Sequence, residues 1–334
     1  AVSWRGRRRL PSVVGPAVAV RSRPFPARLA RRLWLRGDHP SGRGLGGADA
    51  EVIFGPNHVV PPGGGAAEVL TIHDLTAVRY PELATADVLQ WPPLARRAAR
   101  RGAWVHTPSE AVAAEVRAWE PAFADRVVAV PNGVRRPPAP TPTSGAAEGR
   151  RLAGTERYVL AVGTVEPRKD LPTLVRAWDA LAADDPDLGL VIAGPDGWGV
   201  DGLTAARDGA SHRRRIRRLG WVGGDQRLAL LRGAAVLAYP SVYEGFGLVP
   251  LEALAAGTPV VTTDIAVHRE VLTDAAPLVP VGDPDALAAA LHRVVTDDDH
   301  AAAIVAAGQA RVDAHPWSAT VAGVADLLQR AASR

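Results

Sequence analysis

Residues 238–263 read AYPSVYEGFGLVPLEALAAGTPVVTT. The apolar run from Ala235 to Tyr239 has the length and composition of a buried strand, and it empties into a loop whose Glu244, Gly245, Phe246 and Gly247 precede a helix. Pro250 falls in the first turn of that helix, where a missing N–H costs nothing, and Gly257 followed by Thr258 and Pro259 stops it. Val260 and Val261 then open another strand. A glycine-rich turn between a strand end and a helix start turns unpaired N–H groups toward an anion, and the helix dipole adds to the attraction. Glu252 follows Glu244 by eight residues, inside the first turn and pointing back toward the loop. One carboxylate then sits beside the anion while the other accepts hydrogen bonds from vicinal hydroxyls, which suits a nucleotide sugar. The alternative is a helix start that merely favours acidic residues, worth about 0.3–1 kcal/mol. From these residues alone both readings stand.

The 334 residues suffice for two domains, and 47% hydrophobic content without a run of eighteen apolar residues describes a globular chain with no spanning helix. The opening AVSWRGRRRLP is basic but lacks the apolar core of a signal peptide. The absence of cysteine excludes disulfides and thiolate metal sites, and a reducing, cytoplasmic setting is expected. The net charge of +4 is carried almost wholly by arginine, densest from Arg5 to Arg43 and again from Arg213 to Arg218. Neither run interleaves aromatics or shows zinc spacing, so no nucleic-acid partner is expected. Arg213 to Arg218 reads as a solvated face. The segment Arg28 to Arg36, with Leu29, Leu33 and Trp34 among arginines, reads as an apolar stripe able to rest on an anionic bilayer such as the inner face of a membrane.

In the N-terminal half, Glu51 to Gly55, Val69 to His73, Ala103 to Thr107 and Val127 to Val130 read as strands, and Ser109 caps a helix carrying Ala111, Val112, Val116 and Trp119. Strands alternating with helices imply a parallel sheet whose functional groups gather at the carboxyl ends of the strands. One such end carries His73, able to donate a hydrogen bond to a substrate hydroxyl or to be satisfied by backbone; Asp74 caps the next turn. Another carries Pro131-Asn132-Gly133-Val134, a turn that marks a boundary. Gly42, Gly44 and Gly47 spell Gly-x-Gly-x-x-Gly, but no strand precedes and no helix follows, so the pattern is set aside. Arg135 to Arg150, rich in Pro, Ala, Thr and Gly, reads as an interdomain linker.

A second alternating unit begins with a strand from Tyr158 to Val162 and a helix capped by Asp170, with Leu171, Leu174, Val175, Trp178 and Leu181 on one face. Between them, Gly163-Thr164-Val165-Glu166-Pro167-Arg168-Lys169 aims two cations over the carboxyl edge of the sheet. Lys169 is the only lysine in the chain. A cation pair beside a helix start is mildly unfavourable unless it meets an anion. Leu188 to Gly194 is a further strand, and Asp283 with Pro284 caps a late helix. The acidic clusters Asp184-Asp185-Pro186-Asp187 and Asp297-Asp298-Asp299 lie in loops away from these strand ends and read as solvated charge, not as a metal site.

Glu244 to Glu252 resembles the Glu-x7-Glu motif of the retaining glycosyltransferases of family four, the group 1 glycosyltransferases, which have the two-domain GT-B fold. VGTVEPRKDLPTL resembles the family's Val-Gly-x-x-x-x-Arg-Lys-Asn segment, with Asp170 where Asn is frequent, and TIHDLTAVRYPE resembles its His-Asp segment. The resemblance implies an α/β protein of two Rossmann-like parallel-sheet domains. These would be an acceptor-side domain over 1–140, a nucleotide-sugar domain over 141–316, and a helix over 317–334 that crosses back toward the first. It places Glu244 by the donor sugar, the backbone of Gly245, Phe246, Gly247 and Leu248 on sugar and phosphate, and Glu252 on the ribose. It also places Gly163, Arg168 and Lys169 at the diphosphate, backbone near Val222 on the nucleobase, and His73 toward the donor sugar.

The activity implied is mannosyl- or glucosyl-type transfer from a UDP- or GDP-sugar to an acceptor hydroxyl, with retention and without a metal or other cofactor. The acceptor, a saccharide, lipid-linked saccharide or small molecule, stays open. No side chain of the Gly220 to Gly223 run reads the base. Family members open with a strand and glycine-rich loop that do not precede Ala1, so an incomplete first domain is expected. A truncated or non-catalytic sugar-nucleotide binder, or a GT-B epimerase or phosphorylase, is the other reading.

Overall fold

A computed structural model describes residues 25–333. The chain divides into two compact units, one formed by residues up to Val130 together with 321–333, the other by residues 131–320. The expected boundary at 140 thus falls at 130. Val134 already belongs to the second unit, where its N–H donates to the His315 carbonyl at 2.9 Å. Gly133 is more than a turn residue there, since a Cβ on it would lie 2.3 Å from Trp317 Cα.

In the first unit β1 (Val52–Gly55), β2 (Ala67–Thr71), β3 (Trp104–Thr107) and β4 (Val127–Ala129) form a four-stranded parallel sheet in that order. Val69 and Trp104 sit opposite one another in register and pack with Leu327 and Ala331 of the terminal helix Trp317–Ala332. Ser109 caps Glu110–Trp119 by accepting from Val112 N at 3.2 Å, as its position predicts. Trp34, expected on the exposed stripe of Ala27–Trp34, instead turns inward, where its indole N–H donates to the Pro40 carbonyl at 2.8 Å. The expectation of a missing opening strand and glycine-rich loop, and the basic run before residue 25, lie outside the described residues.

In the second unit six parallel strands take the order β10-β9-β8-β5-β6-β7. They are β5 (Arg157–Val162), β6 (Leu188–Ala193), β7 (Ile216–Gly220), β8 (Val236–Tyr239), β9 (Val260–Thr263) and β10 (Leu278–Val279). The order reverses between β5 and β8, so the connections after these two strands leave in opposite directions and open a crevice at their carboxyl ends. β7 is the strand hidden in the arginine run. As an edge strand it needs no apolar alternation, and the charge on it discourages pairing with another chain. Nor is the run simply a solvated face: Arg215 donates to the carbonyls of Asp185, at 2.7 Å, and Ala182, and Arg218 pairs with Asp196.

The expected linker from Arg135 to Arg150 also holds structure, because its last residues begin the helix Ala146–Ala153. Two glycines let this helix lie on Gly224–Gly233. A Cβ on Gly149 would fall 2.0 Å from the Ala229 carbonyl oxygen, and one on Gly233 2.8 Å from that of Ala146. Tyr158 of β5 ties the pair down, its hydroxyl donating to the Leu230 carbonyl at 2.7 Å.

Candidate active site

The loops that follow β5 and β8 meet at the switch point. Asp170, left-handed at φ 44°, starts the helix Leu171–Asp184 and accepts from Thr173 N, which fixes the residues just before it. Arg168 O accepts from Val242 N at 2.9 Å, stitching the two loops together. Lys169 is only 9% exposed and Glu244 8%. Lys169 Nζ donates to Glu244 Oε1 at 2.6 Å and to the Tyr239 hydroxyl at 2.7 Å. Arg168 Nη1 lies 2.6 Å from Glu244 Oε2 and 2.9 Å from the Tyr243 carbonyl, while its Nη2 donates to Glu166 Oε1 at 2.6 Å.

The basic pair is therefore a buried, oriented cluster balanced by two carboxylates. Burial by itself would raise the pKa of Glu244, but the charges and hydrogen bonds of Lys169 and Arg168 outweigh it and hold the carboxyl well below its usual range. Burial opposes the charge of Arg168 too, and Glu244 and Glu166 reverse that, leaving the guanidinium firmly ionised. Burial and the neighbouring Glu244 push the Tyr239 phenol well up, so it stays protonated.

Gly247 has φ 97° and is the left-handed residue before the helix Leu248–Ala255. Only glycine adopts that region readily, so the turn Glu244-Gly245-Phe246-Gly247 can swing from the cluster into the helix. Phe246 is buried on His315, and Leu248 is exposed. Because the helix begins at Leu248, Glu252 is its fifth residue and stands in the second turn, a correction to the expectation of the first. Its carboxylate is forked by Arg227 of Gly224–Gly233, at 2.6 and 2.8 Å. Arg227 escaped the sequence reading because it lies 25 residues away and carries no motif of its own.

His268, fully buried, packs its ring edge beneath Gly247. Its Nδ1–H donates to the Thr263 carbonyl at 2.8 Å, and burial lowers its pKa, so it is neutral at pH 7. Gly163 lies over Lys169, at φ 148°. Val222 is half-buried at the loop after β7.

His73 lies in the other unit, two residues beyond the end of β2. Its Nε2–H donates to the Pro56 carbonyl at 2.9 Å, so the ring presents Nδ1 as an acceptor instead of the donor expected from sequence. His58 packs edge-on against it, ring centroids 5.4 Å apart, and burial holds His58 down to about 4 against the raising influence of Asp74. Asp74 caps the next turn by accepting from Thr76 N at 2.9 Å. Among the described residues no group of three His, Asp or Glu side chains is placed to hold a metal ion.

Residues 147–311 match the family described as glycosyl transferases group 1. The chain is 34% identical over 161 residues to an O-antigen chain mannosyltransferase B of Escherichia coli, covering 48% of this chain and 42% of that one. It is 36% identical over 221 residues to a phosphatidyl-myo-inositol mannosyltransferase of Mycolicibacterium smegmatis, covering 64% and 55%. It thus spans about half the length of these curated relatives. Among solved structures, Anabaena HepE in complex with UDP and glucose superposes with a TM-score of 0.67 at 21% identity, over 79% of this chain and 72% of that one, which shows the shared fold. The chain has the GT-B fold, and its residues 147–311 match the group 1 glycosyltransferases.

Proposed function

We propose that this chain transfers a hexose of the mannose or glucose type from a nucleoside diphosphate sugar to an acceptor hydroxyl, with retention and without a metal. The observation that carries this reading is the Arg168–Lys169–Glu244 cluster, buried at the switch point beside the helix start at Gly247. Cleavage of the anomeric C–O bond leaves negative charge on the diphosphate and positive charge on the sugar. Arg168, Lys169 and the N–H groups after Gly247 stabilise the departing anion, and preorganised donors of this kind are worth roughly 3–4 kcal/mol each. The acceptor oxygen bonds to the anomeric carbon from the leaving-group face and passes its proton to the departing phosphate oxygen. Glu244 keeps the two cations oriented, and Glu252 holds the ribose. The mannosyltransferase names of the relatives favour a mannosyl donor.

The test is a thermal-shift panel of UDP, GDP, ADP and their common sugars with EDTA present. A ligand at about a hundred times its dissociation constant adds roughly 2.7 kcal/mol of stability. A shift with one nucleotide identifies the base and a metal-independent site; no shift with any of them overturns the reading.

A peripheral contact with anionic lipid is the second element of the proposal. No helix among the described residues is long and apolar enough to cross a membrane. On Ala27–Trp34, however, Leu29 and Leu33 are exposed among Arg28, Arg31 and Arg32, and one relative is a phosphatidyl-myo-inositol mannosyltransferase, named for a lipid. Sedimentation with anionic but not neutral vesicles, lost in L29S/L33S, is the expected result; equal sedimentation with both removes this element.

A further inference from the structure

Residues 163–167, which deliver Arg168 and Lys169 to the site, are moulded by the loop after β6, residues 194–199, which read Gly-Pro-Asp-Gly-Trp-Gly. The pairing of β5 with β6 does not stop at the strand ends: Gly163 N donates to the Ala193 carbonyl, Val165 N to that of Pro195, and Gly199 N back to that of Val165, each at 3.0 Å. Three glycines make so close an approach possible. A Cβ on Gly194 would fall 1.8 Å from the Gly163 carbonyl oxygen, and one on Gly197 2.6 Å from that of Val165. One on Gly199 would fall 2.8 Å from the Glu166 carbonyl carbon and 2.9 Å from Pro167 N, backbone atoms that cannot swing aside. Gly199 has φ −99°, which any residue adopts, so space alone requires the glycine there.

The peptide that Gly199 touches is the anchor of Arg168. Glu166 accepts from Arg168 Nη2 at 2.6 Å, and Pro167 opens the single turn Pro167–Lys169. The guanidinium is therefore held from two directions: by Glu244 and the Tyr243 carbonyl on the loop after β8, and by Glu166, which backs onto Gly199. A methyl on Gly199 would push the Glu166–Pro167 peptide away, and one of the two holds would move with it. The other side of the loop is tied to β7, where Arg218 pairs with Asp196.

We propose that Gly199 is a positioning residue: through the Glu166–Pro167 peptide it sets the direction in which the Arg168 guanidinium faces the diphosphate. The assignment rests on the nucleoside diphosphate sugar reading of this unit. Direction matters because a guanidinium binds phosphate through a planar fork, so a tilt of the plane loses one of two hydrogen bonds while the charge stays in place.

The experiment is a calorimetric titration of the parent and of G199A, G199S, G202A, E166Q and G199A/E166Q with UDP, GDP and ADP, the thermal transition verifying that each is folded. G199A and G199S should each weaken the nucleotide that the parent binds by about tenfold. Serine is the better helix N-cap, so a loss that came only from capping Val200–Gly209 would be absent in G199S. Gly202 lies in the same helix, but a Cβ on it would have 3.8 Å to Pro172 Cγ, and G202A should bind as the parent does. In E166Q the link is already cut, so adding G199A should weaken binding by less than about twofold, whereas a general loosening of the unit would cost the same in both backgrounds. Unchanged affinity in G199A, recovery in G199S, or equal losses with and without Glu166 overturns the assignment. Should G199A not fold, R218Q carries the test, since it frees Asp196 from β7 without crowding the loop. Its loss of roughly two- to threefold should likewise vanish in E166Q, and an undiminished affinity overturns the assignment. Failure of the parent chain to bind any nucleotide overturns the donor-site reading itself, a separate result seen before any variant is compared.

Discussion

Glu244→Gln is the sharpest perturbation of the buried cluster. The change keeps the side chain's size but removes the charge that faces Lys169 at 2.6 Å on one oxygen and Arg168 at 2.6 Å on the other. Whichever way the amide turns, its NH2 group meets a cation that can only donate, so one hydrogen bond is lost and two positive charges remain in a site that is 8% exposed. Removing one partner of a buried ion pair costs about 3–5 kcal/mol. For a unit of this size that lowers the melting transition by roughly 6–20 °C at pH 7.

The pH dependence gives a second, independent signature. The folded-state pKa of Glu244 is depressed, so its contribution is fully present above the unfolded carboxyl value, about 4.3, and is lost as pH falls below it toward the folded value. The parent should therefore lose stability in acid more steeply than E244Q, and the two curves should approach one another as pH falls from 5 toward 2. Urea titrations at a series of pH values measure both effects. A difference under about 1 kcal/mol at pH 7, or parallel curves into acid, would refute the picture of an ionised Glu244 holding both cations.

Lys169→Ala should lower turnover by about 100- to 1,000-fold if Lys169 stabilises the leaving diphosphate. Because Nζ also holds Glu244 and Tyr239, the structure adds a loss of thermal stability to the purely catalytic effect that sequence suggests, and paired kcat and Tm measurements read both. Arg227→Met should raise KM for the nucleotide sugar about fivefold with kcat little changed, since it frees Glu252 without touching the cation cluster; steady-state kinetics decides. Gly149→Ala should cost roughly 1–3 kcal/mol in urea denaturation, because its Cβ has only 2.0 Å to the Ala229 carbonyl and the two helices must separate.

Much of the fold was written in local pattern. The runs from Tyr158 to Val162 and from Leu188 to Gly194 announce buried parallel strands because both faces of such strands are covered, and Ser109, Asp170 and Asp283 announce helix starts because a capping side chain acts within three residues of itself. Those signals are short-range and survive in a string of letters. Where charge lies on an edge strand, as in Ile216–Gly220, or where a helix begins inside a proline-rich segment, as in Ala146–Ala153, the pattern is masked and the elements went unread.

For the site, sequence named Arg168, Lys169, Glu244, Gly247 and Glu252 by motif, but not what they do to one another. The reversal of strand order between β5 and β8 brings residues 75 positions apart within 2.6 Å, and the resulting burial converts a solvent-like basic pair into an oriented cluster. The same tertiary geometry supplied Arg227 to Glu252, turned His73 to present its acceptor nitrogen, sent Trp34 inward and left Trp221 in water. Periodicity and capping depend on neighbours along the chain and are legible in it; charge pairing, tautomer and exposure depend on neighbours in space, which only the folded chain defines.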